Sequence, residues 1–154
     1  MSLTLNLEYT DFVCTAYGKD FIESVVKATM MASKYAEVLS RQDIGLSIAI
    51  LETSEMRKVN MQYRGKDKST DVISVGDFAD QKSLADLTSM NEELDLGEVL
   101  LCWDFIQESA TIQDIKVLYE LCYVLAHGTL HLLGYDHSSE MYDIQESIAK
   151  TFST

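Results

Sequence analysis

Three histidines, His127, His131 and His137, are all the histidine that a chain of 154 residues contains, and they fall inside one short stretch. It reads His127-Gly128-Thr129-Leu130-His131-Leu132-Leu133-Gly134-Tyr135-Asp136-His137. On a helix, residues four apart lie one turn apart on the same face, so His127 and His131 aim two imidazoles at one point. Gly134 is the residue type best suited to a left-handed helix stop, and three residues later His137 returns from the turn to close a third side. Three neutral imidazoles around a tetrahedral ion leave the fourth position to water. That is the layout of a catalytic rather than a structural zinc site.

The spacing is also that of the metzincin peptidases, in which a glutamate directly after the first histidine serves as general base. Here that position is Gly128, with no side chain to take a proton. The metal cage is present and the peptidase base is missing.

Such a site needs rigid elements behind it. A long helix is expected from about Gln113 to Leu133, started by a capping-box-like Thr111 and Asp114. Val117, Leu118, Leu121, Val124 and Leu125 bury it, which fixes His127 and His131. Ser138 or Ser139 caps a last helix through Met141, Ile144 and Ile148. Upstream, Ser2 to Tyr9 alternates apolar and polar as a half-buried strand. Asp20 to Ser40 is a helix, with Phe21, Val25, Ala28, Met31, Ala32, Tyr35 and Leu39 at helical spacing. Ile44 to Glu52 is a second strand, and Thr53 or Ser54 caps a short helix to about Tyr63. Thr70 to Val75 and Leu96 to Cys102 are the third and fourth strands, and a short helix covers Trp103 to Glu108. Between the last two strands, Gly76 to Asp95 is acidic, with Asp77, Asp80, Asp86, Glu92, Glu93 and Asp95 against the single Lys82. It reads as a surface connection with a helical turn around Leu84 to Met90. There are no repeats and no internal linker.

Arg64-Gly65-Lys66-Asp67-Lys68 is the densest positive cluster in the chain. With Tyr63 before it and Thr70-Asp71-Val72 after, it resembles one signature of the YbeY family. The histidine stretch resembles the other, through Gly128, Leu130, Leu132 and the Gly134-Tyr135-Asp136-His137 ending. YbeY proteins are bacterial metal-dependent endoribonucleases linked to rRNA maturation and ribosome quality control. Leu96-Gly97-Glu98-Val99 is similar to that family's Leu-Gly-Asp-Ile strand, with Glu98 in place of aspartate. The departures cluster beside the basic loop. Ser69 stands where the family usually has proline, and Ser74-Val75-Gly76 replaces a Ser-Phe-Pro ending.

The resemblance implies a site and a chemistry. One zinc ion, or another divalent metal, would be held by His127, His131 and His137, lowering its water's pKa to about 7 and polarising a phosphoryl oxygen. The arginine most tied to activity in the family falls on Arg64, which would neutralise charge building on the phosphate with a geometry lysine does not copy. Lys66 and Lys68 would steer the RNA backbone. Asp136 is either an outer partner of a ligand histidine or a turn residue. No general base stands out, so the nucleophile is left open between metal-activated water and the RNA's own 2′-OH. The expected partners are rRNA and the ribosome or ribosome-associated proteins, with no DNA and no membrane.

Composition bounds these expectations. A chain of this length with 47% hydrophobic and 24% charged residues suits one folded domain, residues 1–154. The order of elements suggests an α/β domain with a four-stranded, mostly parallel sheet flanked by helices. Its last pair is antiparallel, and the metal lies in a cleft at the end of the long helix. No secretory start and no spanning run of ~20 apolar residues is present. Cys14, Cys102 and Cys122 read as reduced, buried thiols of a cytoplasmic protein, with Cys122 well off the ligand face of its helix. The net charge of −13 runs against a simple nucleic-acid binder, since phosphate contacts need clustered Lys and Arg. A non-catalytic, metal-stabilised module docking on the ribosome is therefore the alternative from another class.

Overall fold

Alternation builds the first strand: β1, Ser2–Tyr9, turns Leu5 into the core while Ser2, Thr4 and Asn6 stay less covered. In the computed structural model of the chain, which describes residues 2–9, 17–80, 82–87 and 93–154, β1 lies parallel to β2, Asp43–Leu51, in register from Ser2↔Asp43 to Tyr9↔Ile50. β2 lies parallel to β4, Glu93–Cys102, and β4 pairs antiparallel with β3, Val72–Val75. The order across the sheet is β1-β2-β4-β3. This is the expected α/β sheet, mostly parallel with one antiparallel pair.

The two faces of the sheet are covered unequally. Leu94, Leu96, Val99 and Leu101 of β4 enter the main core with α1 (Lys19–Ala32), α6 (Val117–Leu132) and α7 (Ser139–Phe152). On the other face, Leu100 and Cys102 pack with Ala49, Ile73 and Met56, the last from α3, Thr53–Arg64. No helix among the described residues is long and apolar enough to cross a membrane.

Several boundaries differ from the sequence reading, each for a local reason. The helix expected over Asp20 to Ser40 is two, α1 and α2 (Ala36–Ser40). Ser33 breaks it. Its hydroxyl donates to Met30 O at 2.7 Å and accepts from Tyr35 N at 3.2 Å, local bonds that compete with the helical ladder. α3 starts after Glu52 with no side-chain cap, because Thr53 Oγ1 donates instead to Asp104 Oδ2 at 3.0 Å. The acidic segment after β3 contains a short α4, Asp77–Asp80, and a 3₁₀ turn, Leu84–Asp86. The rest of the turn expected up to Met90 lies outside the described residues, as do Glu92 and Cys14.

The helix expected over Trp103 to Glu108 continues as α5, Trp103–Gln113. Thr111 and Asp114 are not a capping box. Thr111 is inside α5, donating back to Gln107 O at 3.0 Å, and Asp114 stops that helix at φ 55°. Aspartate is one of the few residue types that tolerates this left-handed position. α6 then begins only after Lys116. The last helix starts as expected, with Ser138 Oγ accepting from Met141 N at 3.2 Å.

Candidate metal centre

α6 packs on β3 and β4 with α1, α5 and α7 around it. Leu121, Val124, Leu125, Leu130 and Leu132 are all buried, and at roughly 1.5–3 kcal/mol for each such side chain the helix has one favoured seating. Gly128 sets how close that seating is. A Cβ added there would fall 2.6 Å from Val99 Cγ1 and 2.9 Å from Val72 Cγ2, and Ser74 Oγ donates to the Gly128 carbonyl at 2.8 Å. The position that carries the glutamate in metzincins therefore faces the sheet here. A peptidase base has no room.

Flanking that contact, one residue before it and three after, His127 and His131 emerge from the helix half-buried, one turn apart from each other. α6 ends as the sequence predicts. Gly134 takes φ 93°, its N–H bonds His131 O at 3.0 Å, and Tyr135 N–H bonds Leu130 O at 3.0 Å. The reversal returns His137, which is exposed, to the same point. Ring centroids lie 4.4 Å apart for His127 and His131, 4.8 Å for His131 and His137, and 5.1 Å for His127 and His137. One ring nitrogen from each lies within 4.8 Å of the others, and the Nε2 atoms of His131 and His137 are 2.9 Å apart. Tetrahedral ligation at 2.0–2.1 Å per nitrogen asks for separations of about 3.3 Å. The cluster brackets that spacing, so the donor set fits a zinc-sized ion.

The other ring nitrogens are occupied. His127 Nδ1 meets Gln145 Oε1 at 3.1 Å, His131 Nδ1 meets the Tyr135 carbonyl at 2.9 Å, and His137 Nδ1 meets Tyr142 Oη at 3.3 Å. Burial, the largest cause, lowers the pKa of His127 against the opposing Gln145 bond and Asp71 charge. Burial, then His127, pushes His131 down to about 4. Both are neutral at physiological pH, the form that coordinates a metal. Burial pushes the Cys122 thiol up to about 12, so this neighbour on α6 is not a competing thiolate.

Arg64 arrives from the other side of the sheet edge. It is the last residue of α3, which ends on Gly65 at φ 69°, with Gly65 N–H to Met61 O at 3.0 Å and Lys66 N–H to Asn60 O at 3.4 Å. Where proline would stiffen the loop, side chains hold it. Asn60 Nδ2 donates to Lys68 O at 2.7 Å, and Arg57 grips both oxygens of Asp67 at 2.7 and 3.0 Å. Arg64 and Lys66 then line a cleft of about 700 Å³ whose other walls include His127, His131, His137, Asp71, Ser74 and Asp136. Lys68 is not on that wall. It stays on the exposed surface at the loop's far end.

Sequence reasoning alone passes over Gln145, Asp71 and Ser74. A signal for Gln145 exists: Met141, Gln145 and Ile148 share one face of α7, and a polar residue inside an apolar stripe asks for a partner. Asp71 figured only within the basic-loop signature and Ser74 only within a departure from it, because their place in the cleft depends on how the antiparallel edge strand meets α6.

An α/β sheet that brings an open three-histidine cluster and an arginine into one cleft belongs with the metal-dependent hydrolases that handle anionic substrates. Residues 10–153 match the family model described as endoribonuclease YbeY. Similar relatives bear the same description: one from Staphylococcus saprophyticus is 32% identical over 82% of this chain and 80% of its own. One from Lactiplantibacillus plantarum is 34% identical over 73% of this chain and 76% of its own. The solution structure of TM1509 from Thermotoga maritima shares the fold, with a TM-score of 0.60 at 22% identity over 97% of this chain and 89% of that one. The chain belongs to the YbeY family.

Proposed function

We propose that the chain is a zinc-dependent endoribonuclease of 1–154 as one hydrolase domain, acting on rRNA in maturation and quality control of the ribosome. One observation carries this reading most: Arg64 and the three histidines, far apart in sequence, line the same cleft. The family supplies the class of reaction.

His127, His131 and His137 would hold the ion, which supplies a Lewis acid at a phosphoryl oxygen and acidifies water. Arg64 presents a planar fork of N–H donors to the non-bridging oxygens as their charge grows. Lys66, on the same wall, neutralises the neighbouring phosphate, and Lys68 meets the strand outside the cleft. Asp71 and Asp136 are carboxylates on the cleft wall to which the nucleophile's proton can pass. Asp71 Oδ1 is already held by Val72 N–H at 2.8 Å.

The charge objection weakens at the site itself. Against a net −13 for the whole chain, the cleft wall carries Arg64 and Lys66 against Asp71 and Asp136, a formal balance of zero. RNA meets little repulsion there. A cytoplasmic setting belongs to the same reading, supported by the free, buried thiols of Cys102 and Cys122.

The test is cleavage of rRNA fragments by metal-loaded protein, with His131→Ala and Arg64→Ala prepared identically. Wild type is expected to cut, chelator to stop it, and both folded variants to fail. Equal cutting by all three would mean a contaminating nuclease. No cutting by any would leave the metal-stabilised docking module as the better reading.

A further inference from the structure

Gln145 is a fully buried amide on the apolar face of α7, and its two ends face different groups. Its Nε2 lies 3.5 Å from the carbonyl oxygen of Tyr123, one helical turn before His127, and its Oε1 lies 3.1 Å from His127 Nδ1. A carbonyl only accepts, so the amide end beside Tyr123 has to be the NH₂. That fixes Oε1 toward His127, and an amide oxygen also only accepts. The imidazole must therefore carry its proton on Nδ1, which leaves the Nε2 lone pair facing His131 and His137.

From this we infer that Gln145 is a positioning residue for metal binding: it locks His127 in the one neutral tautomer and ring orientation that offers Nε2 to the ion. The inference rests on the metal-site reading above. The other two histidines are served differently. His131 is oriented by a backbone carbonyl, that of Tyr135, which no substitution at that position removes. His137 meets the hydroxyl of the exposed Tyr142, which either donates or accepts and so selects no tautomer. Gln145 is the one-directional, buried side chain of the three. It also ties the last helix to the site, since α7 contributes no ligand of its own.

A purely structural role would make Gln145 a cross-link between α6 and α7, and the two roles separate in metal affinity. Zn²⁺ binding is measured by competition with a chromophoric chelator on the full chain, beside thermal unfolding of the metal-free proteins. Gln145→Leu keeps the volume and loses the acceptor, and its affinity is expected to fall about 10–100-fold. Gln145→Glu restores an acceptor to His127 while losing the donor to Tyr123, and is expected to recover most of that loss.

Because Gln145→Leu disturbs a buried contact, the tautomer is also read in the unmutated, metal-free protein. A long-range ¹H–¹⁵N correlation spectrum of the histidine rings is expected to show His127 protonated at Nδ1. Protonation at Nε2 would overturn the inference. So would Gln145→Leu binding Zn²⁺ as wild type does, or Gln145→Glu losing as much affinity as Gln145→Leu. Wild type that binds no Zn²⁺ under any condition would sink the metal-site reading itself, and this inference with it.

Discussion

At Arg64 the decisive property is shape as much as charge. The residue ends α3 on an exposed rim, and its backbone is set by the Gly65 stop and the Asn60 anchor, so its position is built before any substrate arrives. Losing one preorganised donor to a developing oxyanion costs about 10²–10³ in rate. Arg64→Lys retains the charge but not the fork, and is expected to fall most of the way towards Arg64→Ala in kcat on an rRNA fragment. A lysine variant within about threefold of wild type would reduce Arg64 to a point charge. For Glu98 the decisive property is desolvation. Burial first, and Glu8 second, raise its carboxyl above the usual range. The folded protein therefore keeps this proton at pH values where the unfolded chain, with a pKa of about 4.3, has released it. The stability this contributes is complete at acid pH and lost as pH rises through the raised value. Glu98→Gln is expected to raise Tm at pH 7 and leave it unchanged near pH 4. An equal gain at both would show that charge is not the cause.

Helix α6 shows how one element sets a distance. Its Gly128 contact rests on Val99 and Val72, whose branched side chains have few rotamers to retreat into. Gly128→Ala gains about 1 kcal/mol of helix propensity and risks about 1–3 kcal/mol of overpacking. The clash is expected to win, so Tm should fall despite the better helix former. A rise in Tm would show spare room between α6 and the sheet. The same helix marks where sequence was readable. His127, His131, Gly134 and His137 are local: spacing alone puts two on a face, stops the helix and returns the third. The strand directions were readable too, because the one connection without a long helix leads to the antiparallel pair, whereas the order across the sheet came only with the structure. What stayed hidden depended on competition or distance. Ser33 splits a helix through bonds to its own neighbourhood, and Asp114 adopts a left-handed stop where its spacing from Thr111 suggests a start. Gln145 reaches His127 across two packed helices. Periodicity shows that Gln145 needs a partner, not which one.

For the whole molecule, charge sorting governs how RNA is approached. Five of the twelve basic residues, Arg57, Lys58, Arg64, Lys66 and Lys68, fall between positions 57 and 68, while the chain as a whole is at −13. Long-range repulsion and short-range attraction therefore compete, and salt screens the long-range part first. As ionic strength rises from about 0.01 M, where the screening length is roughly 30 Å, to 0.1 M, where it is roughly 10 Å, kcat/KM on a short RNA is expected to rise before it falls. A steady decline from the lowest salt, the behaviour of a basic binder, would count against this picture. The site is also assembled in a fixed order along the chain. Arg64 belongs to α3, the interior strand β4 inserts later between β2 and β3, and His137 and Gln145 come after both. Chains are made from the N-terminus and domains fold as units, so a growing polypeptide carries Arg64 well before it has all three histidines of the cluster. If those histidines hold the metal and the substrate is ribosomal RNA, such a nuclease stays unarmed until synthesis has passed α7. The ribosome making it is then spared by the order in which the parts appear.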